Sequence, residues 1–132
     1  MNKNKRFLFL LVFLPFTIFS LDFLELEDGF RIEVFVEDID TPRQIAESDA
    51  GNIFVGSRNG GTISVIDSNK SIRVIAEGLS NSTGVTYHAG DLYFSEVNSI
   101  WKIPNIDEAL LSSERMPDKV LVTNNLPSDT WH

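Results

Sequence analysis

The sequence predicts an all-β fold made of a repeated four-stranded unit. The first sign is that Gly51 and the apolar stretch after it are matched by Gly90 and a similar stretch, about 39 residues further on. The second sign is that the corresponding segments keep the same order in both copies. In the first copy they are residues 43–51, 52–55, 62–66 and 72–75, and in the second they are residues 82–90, 91–94, 99–103 and 119–122. Each copy therefore contains four short strands joined by turns that are rich in Gly or Asn.

This spacing is typical of a β-propeller, in which blades of four antiparallel strands repeat at roughly 40 residues. A single blade cannot bury both of its faces, so propellers close about 4–8 blades around a central channel. The sequence supplies two such units, with an insertion at residues 104–117 of the second. Either several copies of the chain assemble to complete a ring, or these 132 residues are the N-terminal part of a longer propeller, which is the alternative we favour.

The beginning of the chain has the pattern of a secretory signal peptide. Residues 1–6 include three basic side chains, and residues 7–19 are almost entirely apolar. An apolar core of about 13 residues is shorter than the roughly 20 that a membrane span requires. The sequence therefore predicts a signal peptide over residues 1–20 and a secreted or periplasmic domain over residues 21–132. No stable membrane span is expected once the leader is removed.

The charge of the predicted mature domain argues against nucleic-acid binding. Three of the eleven Lys and Arg residues belong to the leader, so residues 21–132 carry eight of them against all nineteen Asp and Glu, a net charge of −11. A surface of this sign repels a phosphate backbone. The chain also lacks cysteine, which excludes disulfides, thiolate metal sites and a cysteine nucleophile.

The first element predicted after the leader is a strand at residues 30–36. Its apolar side chains, several of them β-branched, alternate loosely with the charged Arg31 and Glu33, which is typical of a half-buried strand. We expect it to close the ring as the outer strand of the last blade, with partners beyond residue 132. Hairpin turns are predicted at residues 49–52 and 88–91, where glycine supplies the positive φ. His88 lies at the second turn and is expected to be a solvated surface residue.

The insertion in the second copy predicts a short helix within residues 104–113. Asn105 is placed to cap it, and Glu108 three residues later completes a capping box. The apolar side of this helix would consist of Ile106, Leu110 and Leu111. We expect that side to pack on the outer edge of the second blade.

The common motifs for nucleotide binding and hydrolysis are missing. The sequence has no P-loop and no G-x-G-x-x-G, G-x-S-x-G or H-E-x-x-H pattern. The remaining candidates lie at strand ends and in the crossings between blades, where side chains converge on the channel: Arg43, Arg58, residues 80–83 and residues 126–132. His132 is placed where the inner strand of a third blade should begin. An imidazole at that position is a candidate general base.

Six segments together resemble one enzyme family. They are residues 29–35, 43–46, 52–58, 84–87, 90–101 and 126–132, and they carry in order the motifs G-F-x-I, V-G-S-R, E-V-N-x-I and L-P-x-D-x-x-H. This set resembles the N-terminal part of the glucose/sorbosone dehydrogenase family, the soluble sugar dehydrogenases that depend on pyrroloquinoline quinone. The resemblance covers essentially all of residues 21–132.

The resemblance implies a six-bladed propeller in which the quinone lies over the channel and is held to a calcium ion. It also implies that His132 is the catalytic base, which takes a proton from the sugar while hydride passes to the quinone. Asn81 lies in a crossing where some members contact the sugar, whereas Arg58 matches a position that is more often structural. The implied partners are a sugar and an electron acceptor. The ligands of the quinone and of the calcium belong to later blades, so the 132 residues alone are expected to be inactive.

Two other classes of propeller share parts of this pattern. A lactonase of the SMP-30 type has a similar G-x-L-Y-x-x-E hairpin but surrounds a central metal with carboxylate and Asn ligands. An NHL-like propeller would only bind a partner at its surface. The residues that follow His132 should separate the three classes. The dehydrogenase needs basic residues and a calcium loop there, the lactonase needs inward-facing acids, and the binding module needs neither.

Overall fold

The computed structural model describes residues 24–112 and 115–127. The predicted leader at residues 1–20 and the C-terminal residues 128–132 lie outside this part of the chain. The chain divides into two compact units, residues 1–34 and residues 35–132.

The described part of the first unit forms a turn. The N–H of Phe30 donates to the carbonyl oxygen of Glu27 at 3.1 Å, and Gly29 has a φ of 89°. Residues 30–36, which the sequence predicts as a closing strand, form no strand in the structure. A strand needs a hydrogen-bonded partner, and every strand of the two described sheets comes from residues after 41.

The second unit contains two four-stranded antiparallel sheets. The strands of the first sheet are β1 (Pro42–Glu47), β2 (Ile53–Ser57), β3 (Thr62–Ile66) and β4 (Ile72–Ala76). The strands of the second sheet are β5 (Val85–His88), β6 (Asp91–Ser95), β7 (Ile100–Ile103) and β8 (Val120–Thr123). Within each sheet the strands lie side by side in chain order. The predicted all-β fold is therefore confirmed, and the two sheets correspond to the two predicted blades.

The hydrophobic core lies between these two sheets. Phe54 and Ile63 from the first sheet and Leu92 and Phe94 from the second are all at most 2 % exposed and belong to one cluster. Side chains alternate along a strand, so the pairing of Phe54 with Val65 puts both apolar side chains on the same face. β1 lies beside β5, which makes the inner strands of the two blades neighbours, as in a propeller.

The two inner hairpins differ in length, although the sequence predicts matching turns. Residues 48–52 join β1 to β2, with Gly51 at a φ of 79°, whereas Ala89 and Gly90 alone join β5 to β6. Ala89 and Gly90 have φ values of 50° and 89°, which is the type I′ pattern that suits the twist of a tight hairpin. Glycine at positive φ is confirmed in both turns, and His88 is exposed beside the second.

The predicted helix is confirmed as α1 (Ile106–Ser112). Its first residue is fully buried, but Leu111 is 90 % exposed and does not belong to the apolar side. Asn105 has a φ of 46°, and the N–H of Ile106 donates to the carbonyl oxygen of Gly90 at 2.9 Å. The start of the helix is therefore held by the β5–β6 turn.

α1 also contacts the first sheet, so the predicted position on the outer edge of the second blade is wrong. One carboxylate oxygen of Asp107, Oδ1, accepts hydrogen bonds from Ser48 Oγ at 2.7 Å and from Asn52 Nδ2 at 2.8 Å. Ser48 is only 6 % exposed. Ile106 is fully buried in the core shared by the two sheets, and Asp107 connects the second blade to the β1–β2 turn of the first.

Within the residues that the structure describes, no helix has the length and apolar character needed to cross a membrane.

Candidate functional site at the rim of the inner strands

The inner strands β1 and β5 both start at one end of the two sheets. Neighbouring strands are antiparallel, so this end also holds the β2–β3 and β6–β7 loops. The crossing from β4 to β5 starts and ends here, and so does the chain that leaves β8. We call this end the rim, defined as residues 40–43, 57–61, 77–84, 95–99 and 124–127. Three of the candidate residues, Arg43, Arg58 and Asn81, lie on the rim.

The crossing, residues 77–84, packs tightly against the first sheet. A Cβ atom at Gly56 would stand 2.7 Å from the carbonyl oxygen of Thr83, so only glycine fits at this point of β2. Leu79 is 7 % exposed, and its N–H donates to the carbonyl oxygen of Gly61 at 3.0 Å. Backbone contacts therefore determine the path of the crossing over β2.

Asn81 lies in the middle of the crossing. It is half-buried and has a left-handed φ of 50°, which Asn tolerates better than most residues because its short polar side chain can hydrogen-bond locally. The next residue, Ser82, is 0 % exposed, and its hydroxyl has no hydrogen-bond partner among the described residues. A buried hydroxyl in this state lowers stability.

Glu96 holds the crossing in place, and sequence reasoning did not identify it. Its Oε1 accepts a hydrogen bond from the N–H of Ser80 at 2.8 Å, and its Oε2 accepts one from Trp101 Nε1 at 2.5 Å. The N–H of Val97 donates to the carbonyl oxygen of Ser80 at 3.2 Å. The sequence feature that could have indicated it is its position: Glu96 is the final residue of the G-x-L-Y-F-x-E segment and directly follows β6.

The two arginines lie on different elements of the rim and differ in burial. Arg43 is exposed on β1, and Arg58 is half-buried directly after β2. The N–H of Arg58 donates to the carbonyl oxygen of Thr41 at 3.3 Å. The hydroxyl of Thr41 accepts hydrogen bonds from the N–H groups of Asn59 at 3.2 Å and of Gly60 at 3.3 Å. The loop that contains Arg58 is therefore fastened to the start of β1.

The chain leaves both blades in the same way. Leu79 follows the outer strand of the first blade, and its N–H donates to the carbonyl oxygen of Gly61 in the β2–β3 loop. Leu126 follows the outer strand of the second blade, and its N–H donates to the carbonyl oxygen of Asn98 in the β6–β7 loop at 3.1 Å. β5 begins six residues after Leu79, and His132 stands six residues after Leu126. His132 lies outside the described residues, so its role stays a prediction.

The opposite end of the sheets holds charged groups with structural partners. Tyr87 donates its hydroxyl to Asp49 Oδ2 at 3.0 Å, and partial burial together with this hydrogen bond raises the pKa of Tyr87. Lys102 Nζ lies 2.7 Å from Asp91 Oδ2. The hydrogen bond between them lowers the pKa of Asp91 and raises the pKa of Lys102. His88 is exposed at this end, far along β5 from the rim.

In residues 24–112 and 115–127, no group of three or more His, Asp or Glu side chains is arranged to hold a metal ion. The described residues thus provide no ligand set for the calcium ion that the resemblance implies, and no calcium chemistry is assigned to them.

No family model matches the chain, but comparison with curated proteins and with solved structures finds similar chains. A curated protein of Borreliella burgdorferi strain B31, described as an uncharacterized protein, is 35 % identical over 92 residues. That match covers 68 % of this chain and 24 % of the relative. The chain therefore spans about a quarter of the length of this relative.

Among solved structures, the chain is similar to the PQQ-bound form of an aldose sugar dehydrogenase from Streptomyces coelicolor. The TM-score is 0.47 and the sequence identity is 18 %. The match covers 68 % of this chain and 32 % of that chain, so the present chain spans about a third of the length of that enzyme.

Proposed function

We propose that residues 21–132 form the N-terminal part of an exported sugar dehydrogenase that depends on pyrroloquinoline quinone and calcium. In this proposal His132 is the general base and Asn81 contacts the sugar. The partners are a sugar substrate and a separate electron acceptor, in the periplasm or outside the cell. The ordered motifs from G-F-x-I to L-P-x-D-x-x-H support this choice of family.

The observation that carries the proposal is the repeated exit from the two blades. Leu79 and Leu126 make the same backbone hydrogen bond to a loop between middle strands, so we expect the residues after Leu126 to follow the course of those after Leu79. If the chain that leaves β8 crosses to a third blade over at least as many residues as the chain that leaves β4, His132 would lie at the start of a third inner strand or just before it. Asn81 occupies the same end of the molecule, which would put base and sugar contact on one rim.

Two residues of this chain are assigned a role in the chemistry. When bound, the quinone would supply the two-electron acceptor that oxidation of a sugar requires. His132 would take the proton of the sugar's anomeric hydroxyl, since imidazole titrates near neutrality and is partly neutral at physiological pH. The amide of Asn81 can both donate to and accept from sugar hydroxyls, and would bind the sugar at the rim.

The test uses the protein expressed from its complete reading frame and reconstituted with pyrroloquinoline quinone and Ca²⁺. We expect reduction of an artificial dye that depends on an aldose. The variant His132→Gln should lose about 10²–10⁴-fold in kcat, because a positioned general base contributes about that much. His88→Gln is the matched control, since this second histidine is exposed at the opposite end of the sheets, and should keep its activity.

Other outcomes would replace the proposal. Hydrolysis of lactones without dye reduction would favour the SMP-30-type lactonase, and the absence of both reactions would favour an NHL-like binding propeller. Dye reduction by His132→Gln at the wild-type rate would remove His132 from the mechanism. Export is tested separately by N-terminal sequencing of the protein recovered from cell fractions, which should begin near Leu21.

A further inference from the structure

The two carboxylate oxygens of Glu96, on the rim, accept hydrogen bonds from separate parts of the chain. Oε1 accepts from the N–H of Ser80, in the crossing, and Oε2 accepts from Trp101 Nε1, on β7. Hydrogen bonds to a charged acceptor are shorter and stronger than those between neutral groups. Because each oxygen accepts a hydrogen bond from a different segment, Glu96 connects the backbone of the crossing to β7.

The backbone that Glu96 holds stands directly before Asn81. Both backbone groups of Ser80 are hydrogen-bonded: its N–H donates to Glu96 Oε1, and its carbonyl oxygen accepts from the N–H of Val97 at 3.2 Å. On the other side of Asn81, Ser82 is fully buried. Asn81 itself has a φ of 50°, in the left-handed region that Asn adopts more readily than most residues. Both neighbours of Asn81 are therefore fixed, and its amide direction depends on them.

Trp101 in turn fixes the carboxylate of Glu96. The indole ring is half-buried, and Lys119 Nζ lies 4.5 Å from its centroid, a cation–π contact that holds the ring. Its Nε1–H selects one rotamer of Glu96 by binding Oε2. Trp101 on β7 therefore positions Glu96, Glu96 positions the backbone of Ser80, and Ser80 directly precedes Asn81.

We propose that Glu96 is a positioning residue that sets the direction of the Asn81 amide toward the sugar. This inference rests on the proposed function, in which Asn81 contacts the substrate. Glu96→Gln removes the charge and replaces one acceptor oxygen by an NH₂ group, which then faces either the N–H of Ser80 or Trp101 Nε1. Either orientation puts two donors against each other, so the grip on Ser80 is lost or weakened.

The experiment is a double-mutant cycle in the complete protein, with Glu96→Gln, Asn81→Ala and the combination of both. Glu96→Gln should raise the KM for the sugar about tenfold while kcat changes little, because the lost contact aids binding more than the chemical step. Asn81→Ala should have a similar effect, and the KM of the double variant should be no higher than that of Asn81→Ala alone, since the two residues act as one unit.

The matched control is Glu77→Gln, which changes an exposed glutamate at the start of the same crossing and should leave KM unchanged. Additive effects of Glu96 and Asn81, or an unchanged KM in Glu96→Gln, would overturn the inference.

A second readout does not depend on activity. Hydrogen exchange at the amide of Ser80 should become faster in Glu96→Gln and stay unchanged in Glu77→Gln, and the Trp101 indole N–H resonance should shift. If the protein oxidises no sugar but these changes occur, the proposed function fails while the grip of Glu96 on the crossing stands. If the protein is active and exchange at Ser80 does not change, the positioning role is wrong. Should Glu96→Gln fail to fold, Trp101→Phe keeps an aromatic ring on β7 but removes the Nε1 donor together with the five-membered ring of the indole, and should shift KM and exchange in the same direction.

Discussion

Replacing Asp107 by alanine should weaken the junction between the two sheets. The side chain accepts two hydrogen bonds on Oδ1, from Ser48 Oγ at 2.7 Å and from Asn52 Nδ2 at 2.8 Å. A hydrogen bond to a charged group contributes about 1.5–3 kcal/mol. Because the two bonds share one oxygen and Asp107 is only half-buried, we expect a combined loss of about 2–3 kcal/mol in the free energy of unfolding.

The measurement is urea-induced unfolding of the complete protein, analysed with the slope held common to all variants. Asp107→Asn keeps a neutral carbonyl acceptor and should lose about 1 kcal/mol, the usual net value of an uncharged hydrogen bond. Asp118→Ala is the control, since the ion pair of Asp118 with Arg115 is 86 % and 80 % exposed and such pairs contribute little. A loss for Asp107→Ala no larger than that of Asp118→Ala would refute the view that α1 ties the second blade to the first.

Two further predictions concern stability. Ser82→Ala should raise the free energy of unfolding by about 1–2 kcal/mol, because it removes a buried hydroxyl that has no partner among the described residues; thermal unfolding that shows a loss instead would mean that the hydroxyl is satisfied. Lys102→Met should lower stability by an amount that depends on pH. Lys102 holds the pKa of Asp91 below its ordinary value of 3.8, so this stabilisation is present above pH 3.8 and is lost as pH falls through the lowered pKa. Asp91 holds the pKa of Lys102 above 10.5, so the same stabilisation is complete below pH 10.5 and is lost as pH rises through the raised pKa. Unfolding measured across this range should show a constant difference between wild type and Lys102→Met at intermediate pH that shrinks at both extremes, and a difference that grows in acid would contradict the assignment.

The sequence alone determined the strands of the two sheets and the glycine positions of their inner turns, because these signals are local. Short apolar runs that follow a Gly turn, at residues 52–55 and 91–94, predict strands, and β2 and β6 form there. Glycine at residues 51 and 90 supplies a positive φ through its own lack of a side chain. The repeat of these local signals was enough to predict two four-stranded sheets and to place Asn81 in a crossing between them.

Only the tertiary structure decided which residues of the candidate site meet. Glu96 and Ser80 are 16 residues apart, and Ser48 and Asp107 are 59 apart, so no periodic pattern links either pair. The position of α1 depends on the burial of Ile106 in the core shared by the two sheets. The segment at residues 30–36 forms no strand because a β-strand exists only with a hydrogen-bonded neighbour. Periodicity specifies how a segment is shaped, whereas packing between distant segments specifies what that segment touches.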